Sequence, residues 1–386
     1  MKLMRVQLWL AVVAAGLLAG CSGDSAKKEN IEPPTPLVDF QATVAVDRLW
    51  SSSIGDGAGV TGASLVPAVA GGRVYFASSD GRLAAHDAAS GRRLWSVETE
   101  LAFGGGPGAD AAMVVAGTLD GLVIAFDAQA GGELWRERVS SEVITAPVVV
   151  GELIVVTSND GRTRALRSKD GGQVWAIDRG VPMLSLRGNA TPLVADNLVV
   201  VGAANGTVSG IALGDGKSLW EQRIGIGEGR TDLERMIDVD GRLAALDGDL
   251  YVVGYESGAQ ALTLEGGRTL WQREMSSVAG LVAAKDGVYV VAADGTIWAI
   301  DRRTGGALWK NEALLHRMLS APVLMGDYVV VGDLEGKLHW LKRENGEIGA
   351  RSELGGAGFG DGLVVDDDVL YAQNRDGSVG AFRLGQ

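Results

Sequence analysis

Side chains able to do acid–base or covalent chemistry are few in this chain: three histidines, His86, His316 and His339, and one cysteine, Cys21. His86 and His339 fall on alternating segments that read as third strands of a repeat, and His316 falls in a link between repeats. There is no His-Glu-x-x-His, no Cys or His pair at metal-ligand spacing, no Gly-x-Ser-x-Gly and no P-loop string. Acidic residues are plentiful, but most sit in turns, where the carboxylate serves the backbone. We therefore expect a non-enzyme with no catalytic, cofactor-binding or metal-binding residues. Two strings are chemically richer than their surroundings, VPMLSLRG at 181–188 and IGEGRTDLERMIDVD at 226–240. In the first, Leu184 and Leu186 alternate with Ser185 and Arg187, so an extended backbone would point both leucines one way. The second ends in Asp238 and Asp240, two acceptors for a basic group.

The elements that must position these strings are repeats. RVYFASSDGRLAAHDAASGRRLW (73–95), MVVAGTLDGLVIAFDAQAGGELW (113–135) and LIVVTSNDGRTRALRSKDGGQVW (153–175) share one pattern: an apolar run, a turn pair, an alternating strand, a glycine turn and a strand ending in Trp. Asp-Gly between alternating apolar runs is a strong hairpin signal and predicts type I′ turns. The pair recurs as Asp80-Gly81, Asp120-Gly121, Asp160-Gly161, Asn205-Gly206, Ser257-Gly258, Asp294-Gly295, Glu335-Gly336 and Asp376-Gly377, and its glycines are spaced 40, 40, 45, 52, 37, 41 and 41 residues apart. Those intervals suit four-stranded propeller blades. Seven tryptophans keep register at 50, 95, 135, 175, 220, 271 and 309, each on the last strand of a unit, where a large flat ring fills the space between blades. Trp298 and Trp340, on third strands, are read as packing residues too. The eighth unit lacks a last strand, whereas RLW at 48–50 precedes the first unit without the rest of one. The expectation is all-β: an eight-bladed propeller over 41–386, its last blade closed by the N-terminal strand.

Links between blades can be measured from each Trp to the proline of the next first strand. Trp95–Pro107 and Trp135–Pro147 span 12 residues and Trp309–Pro322 spans 13, against 17 for Trp175–Pro192. Trp220 to Leu243, which takes the proline's place, spans 23. Trp50–Pro67 also spans 17, but its GDGAGVTGAS is made of small residues. The two rich links thus enter and leave the fourth blade and must emerge together on one face, where binding function tends to sit. The residues leave two readings open. Either the leucines are exposed anchors beside Arg187, or they fold onto the blade while Arg187 pairs internally with an aspartate.

Ahead of the repeats, Lys2 and Arg5 precede a 15-residue apolar run, Val6–Gly20, too short to span a bilayer and shaped like a secretory signal. Leu18-Ala19-Gly20-Cys21 resembles the lipobox of bacterial lipoproteins. That resemblance implies signal removal at 1–20, acylation of Cys21 and, with Ser22 following, retention at the outer membrane facing the periplasm. Polar and proline-rich 21–40 reads as a lipidated flexible tether. Losing Lys2 and Arg5 takes the net charge from −13 to −15, which argues against nucleic acid and leaves the lipid as the membrane contact.

The Asp-Gly, AIDRRTGGALW (299–309) and Trp pattern resembles the quinoprotein-type repeat. Quinoprotein dehydrogenases hold pyrroloquinoline quinone and Ca²⁺ beside adjacent cysteines, a pair this chain lacks. Lipobox, tether and eight repeats together resemble the BamB family, with PMLSLRG and DLERMIDVD as the sharper local matches. The resemblance implies a non-catalytic scaffold of the outer-membrane β-barrel assembly (BAM) machinery. It would bind the periplasmic POTRA domains of BamA, assist unfolded outer-membrane proteins, and meet BamA through Leu184, Leu186, Arg187, Asp238 and Asp240. Alternatives are a quinoprotein-like dehydrogenase and a surface propeller that binds glycans or adhesion partners.

Overall fold

Short runs rich in Val, Ala and Leu, cut every few residues by Gly and Asp, cannot support helices and pair instead as hairpins. The computed structural model describes residues 32–59, 63–182, 190–227, 231 and 236–385, and these contain eight four-stranded antiparallel sheets. Seven blades are consecutive in sequence, from Ala68–Glu98 in the first to Val323–Glu353 in the seventh. The eighth combines Leu363–Asp366, Val369–Gln373 and Ser378–Leu384 with the N-terminal strand Val46–Ser53 as its outer member. Innermost strands of most neighbouring blades touch, and that of the eighth lies against that of the first, closing the ring.

Each in-register Trp does the same work. Its indole N–H donates to a backbone carbonyl of the next blade, as in Trp50 to Ala88 (3.0 Å), Trp135 to Ser168 (2.7 Å) and Trp309 to Arg343 (2.8 Å). The ring lies over a glycine of that blade: a Cβ at Gly91, Gly171 or Gly346 would stand 2.4–2.6 Å from ring atoms of Trp50, Trp135 or Trp309. The seventh blade departs from this. Ala350 takes the outer-strand position, and Trp340, cross-strand from it, is fully buried on the third strand with its N–H on Met325 Sδ at 3.3 Å.

The repeated Asp-Gly turns are not type I′. Of each pair only the glycine has positive φ, for example +80° at Gly161 and +91° at Gly295, and in the fifth blade's turn Glu256 joins Gly258 there at +51°. Backbone bonds Gly81 N to Ser78 O and Ser78 N to Arg82 O mark a type I turn followed by a left-handed glycine. The aspartate side chain stabilises that turn by accepting the amide two residues on, as Asp294 does from Thr296 at 2.8 Å. Type I′ geometry occurs instead between first and second strands, at Gly71-Gly72 and Asp247-Gly248.

The tether expected over 21–40 ends earlier. Thr35 N donates to Leu315 O at 3.0 Å, and Leu37 and Phe40 pack on a cluster containing Leu314, Leu341 and Ile348. Two large apolar side chains in register with an open rim between blades bind that stretch to the propeller, although its proline-rich start reads as linker.

Candidate functional site

Links and second-to-third-strand turns occupy the same face, since link amides bond into those turns: Val143 N to Thr118 O, Ser320 N to Gly332 O and Phe359 N to Asp333 O. At the centre of this face opens a cavity of about 840 Å³. Its polar lining includes Asp240, Arg242, Asp361 and Arg375, and Met318 and Phe359 are among its apolar walls.

Leu243 stands directly before the first strand Ala244–Leu246, as Pro192 stands before Leu193–Ala195 and Pro147 before Val148–Val150. The second long link therefore ends where the spacing places it. Its last residues are wedged between blades. Asp238 and Tyr255 exchange backbone bonds (Tyr255 N to Asp238 O, 2.8 Å). A Cβ on Gly254 would lie 2.0 Å from Asp238 O, and one on Gly202 would lie 2.2 Å from Val239 O, so glycine at both sites makes room for the link. Val239 and Leu243 share a core cluster with Ala190, near the end of the first long link, and with Leu198 and Leu250. The ends of both links thus meet in one core beside the fourth blade.

The two aspartates are placed differently from surface acceptors. Asp238 is 1% exposed and its Oδ2 has no hydrogen-bond partner. Burial, then the charge of Asp240, pushes its carboxyl up to about 8, so it is largely protonated at neutral pH. Asp240 is half-buried on the cavity wall, with Oδ1 unpartnered, and burial raises it to about 6, with Asp361 adding. Arg242 is held in the wall by a 3.3 Å bond to Leu363 O and is attracted by the charge of Asp361, which also accepts from Ser64 at 3.1 Å. The sequence offers both aspartates as acceptors for a basic group; tertiary packing buries Asp238, because the link threads between two blades. Leu184, Leu186 and Arg187 lie outside the described residues. Sequence reasoning missed Arg242, Asp361 and Arg375, which come together only at the axis and share no local pattern.

The histidines offer no catalytic pair. His86 is buried between Trp50 and Phe76 with neither ring nitrogen bonded, and burial lowers it to about 4. His339 is buried on Asp333, its Nε2 3.0 Å from Oδ2. Among the described residues no three His, Cys, Asp or Glu side chains are grouped to hold a metal ion. The cavity wall itself carries two carboxylates, Asp240 and Asp361, set beside Arg242 and Arg375.

A family model described as "Outer membrane protein assembly factor BamB" matches residues 48–103, 79–311 and 303–384. The chain belongs to the BamB family. The protein so named from Pseudomonas aeruginosa is 45% identical over 375 residues, covering 97% of this chain and 98% of its own. The crystal structure of BamB from Moraxella catarrhalis superposes with a TM-score of 0.81 at 30% identity, covering 88% of this chain and 100% of that one. A quinohemoprotein alcohol dehydrogenase from Comamonas testosteroni shares the propeller, with a TM-score of 0.72 at 13% identity over 90% of this chain and 78% of its own, a likeness of fold alone.

Proposed function

We propose that this protein is a non-catalytic subunit of the outer-membrane protein assembly machinery, docking on the periplasmic POTRA domains of BamA through the two long links of its fourth blade. The name shared by its relatives, outer membrane protein assembly factor, supports the setting. The observation that carries the surface is geometric: both long links end in one core beside the fourth blade and lead onto the face where the cavity opens. In this reading residues 1–20 are a signal, Cys21 is acylated, and the body stands on the periplasmic side of the outer membrane. Leu184, Leu186 and Arg187 make the direct contact. Asp238 shapes the second link from within, and Asp240, at the cavity wall, meets a basic group of the partner. Unfolded outer-membrane proteins pass to the barrel subunit that the scaffold orients.

The test is co-purification with BamA of chains carrying Leu184→Glu or Arg187→Ala. Each should lose BamA while keeping the wild-type melting temperature, because both lie on a link and not in a blade core. Retention of BamA by both variants would sink the assignment.

A further inference from the structure

Among the described residues the seventh blade carries a buried Arg–Asp–His network, whereas at the same place of the third blade the buried Arg164 bonds Ser158 and Ser140. Arg317, 2% exposed, donates from Nε to Asp333 Oδ2 at 2.9 Å, pairs with Glu335, and donates from Nη1 to the carbonyl of Thr35 at 3.0 Å. Asp333 and His339 are both fully buried, with His339 Nε2 3.0 Å from the same Oδ2. Arg351 donates from Nε to His339 Nδ1 at 3.2 Å and from both Nη atoms to Val38 O at 3.3 Å. Its guanidinium also stands 4.9 Å from the centre of the Phe40 ring. The donors fix the imidazole's state. Arg351 can only donate, so Nδ1 accepts; the ionised Asp333 can only accept, so Nε2 carries the single proton. His339 is neutral and relays between two cations through one carboxylate. At the corresponding third-strand place the other blades carry Ala84, Ile124, Arg164, Ser209, Gln260, Trp298 and Gly380.

Outside the seventh blade and the link before it, what this network grips belongs to one segment. Thr35 bonds Leu315 in the link between the sixth and seventh blades, on the link face, whereas Thr43 N bonds Gly349 O (2.9 Å) near the start of the seventh blade's outer strand, at the opposite face. The segment between them therefore descends the rim from the link face, and the chain returns as Val46–Ser53, with Ser53 paired to Ser378 back at the link face.

We propose that residues 35–43 are a strap whose buried latch, Arg317–Asp333–His339–Arg351, fixes the exit of the N-terminal chain on the link face. Unlatched, the chain would leave near Val46 on the opposite face, displaced by roughly the 25 Å length of an eight-residue strand. From Cys21 to Pro34 the chain reaches at most about 45 Å. On the lipid-anchor reading above, on which this consequence rests, the latch keeps the face bearing the two long links turned toward the bilayer. Without it the tether would lengthen and that preference would vanish.

Two measurements test this on the full chain. Amide exchange followed by mass spectrometry should show 35–43 protected in the wild type, and at least about tenfold faster exchange in Arg351→Ala and in Phe40→Ser, with the seventh blade's strands unchanged. Both variants leave the Arg317–Asp333 pair in place, so the blade itself should fold. Unprotected 35–43 in the wild type, or no change in either variant, overturns the strap. For the second, acylated protein in vesicles containing an acceptor-labelled lipid carries a donor dye at Glu100→Cys on the link face or at Ala130→Cys on the opposite face. Energy transfer should be at least about twofold stronger from the link face, and Arg351→Ala should abolish the difference. Equal transfer from both positions in the wild type overturns the orienting role. No transfer from either refutes anchoring of the body through Cys21, while the exchange result still decides the strap.

Discussion

Replacing Asp238 by Asn removes a titratable group from a place that rejects its charge. In the folded chain the carboxyl is raised to about 8 by burial and by Asp240, against about 3.9 for an unfolded aspartate. Between those values the folded state holds a proton that the unfolded state has released, so stability falls as pH rises, by about 1.4 kcal/mol per unit. The favourable contribution is fully present below pH 4 and lost by pH 8. At pH 7 the cost reaches up to about 4 kcal/mol, and Asn, which needs no proton, escapes it apart from the smaller cost of a buried amide without an acceptor. Asp238→Asn should therefore be close to wild type near pH 4 and progressively more stable toward pH 8. Urea unfolding across that range reads the difference. Exchange of the Tyr255 amide, bonded to Asp238 O at 2.8 Å, reports whether the gain is local to the link. A difference that does not vary with pH would refute the reasoning, since it would mean that Asp238 is ionised and paired with a cation.

Asp333 should behave in the opposite sense. Burial alone would raise it, but bonds from His339, the Lys337 amide and Arg317 outweigh this and hold it at about 2. Its contribution is present above about pH 4 and lost as pH falls toward 2, worth up to about 2.5 kcal/mol, so Asp333→Asn should flatten the acid limb of a stability–pH curve. Trp135→Ala empties the space between the second and third blades and frees the Ser168 carbonyl, and should cost about 3–5 kcal/mol in chemical unfolding. Gly171→Ala, with φ at +73° and a Cβ 2.6 Å from the Trp135 ring, should lower the melting temperature as clearly, and a neutral result would remove the ring–glycine contact as the blade spacer.

Repetition made the architecture legible. Asp-Gly and Trp recur because every blade solves the same two local problems, a tight turn and a flat filler against the next blade, and eight copies average out any one irregular letter. The isolated RLW at 48–50 was sufficient to close the ring, since a blade missing one strand and a strand missing its blade can only be reconciled by pairing. Link lengths located the two unusual loops for the same reason: a rigid repeat makes an insertion countable. Turn type was less accessible, because Asp-Gly is compatible both with type I′ and with a type I turn followed by a left-handed glycine, and the strand ends choose between them.

What depended on contacts between residues far apart in sequence was decided by tertiary structure alone. Asp238 reads as an acceptor for a basic partner on a long link, yet that link runs between Gly202 and Gly254 and buries it. Residues 35–40 read as tether, yet Arg317, 282 positions away from Thr35, reaches their backbone. Local pattern reports which atoms a segment needs to satisfy within itself and its nearest repeat. Desolvation, and with it the charge state of Asp238, Asp333 and His339, depends on which distant segments exclude water from the same place.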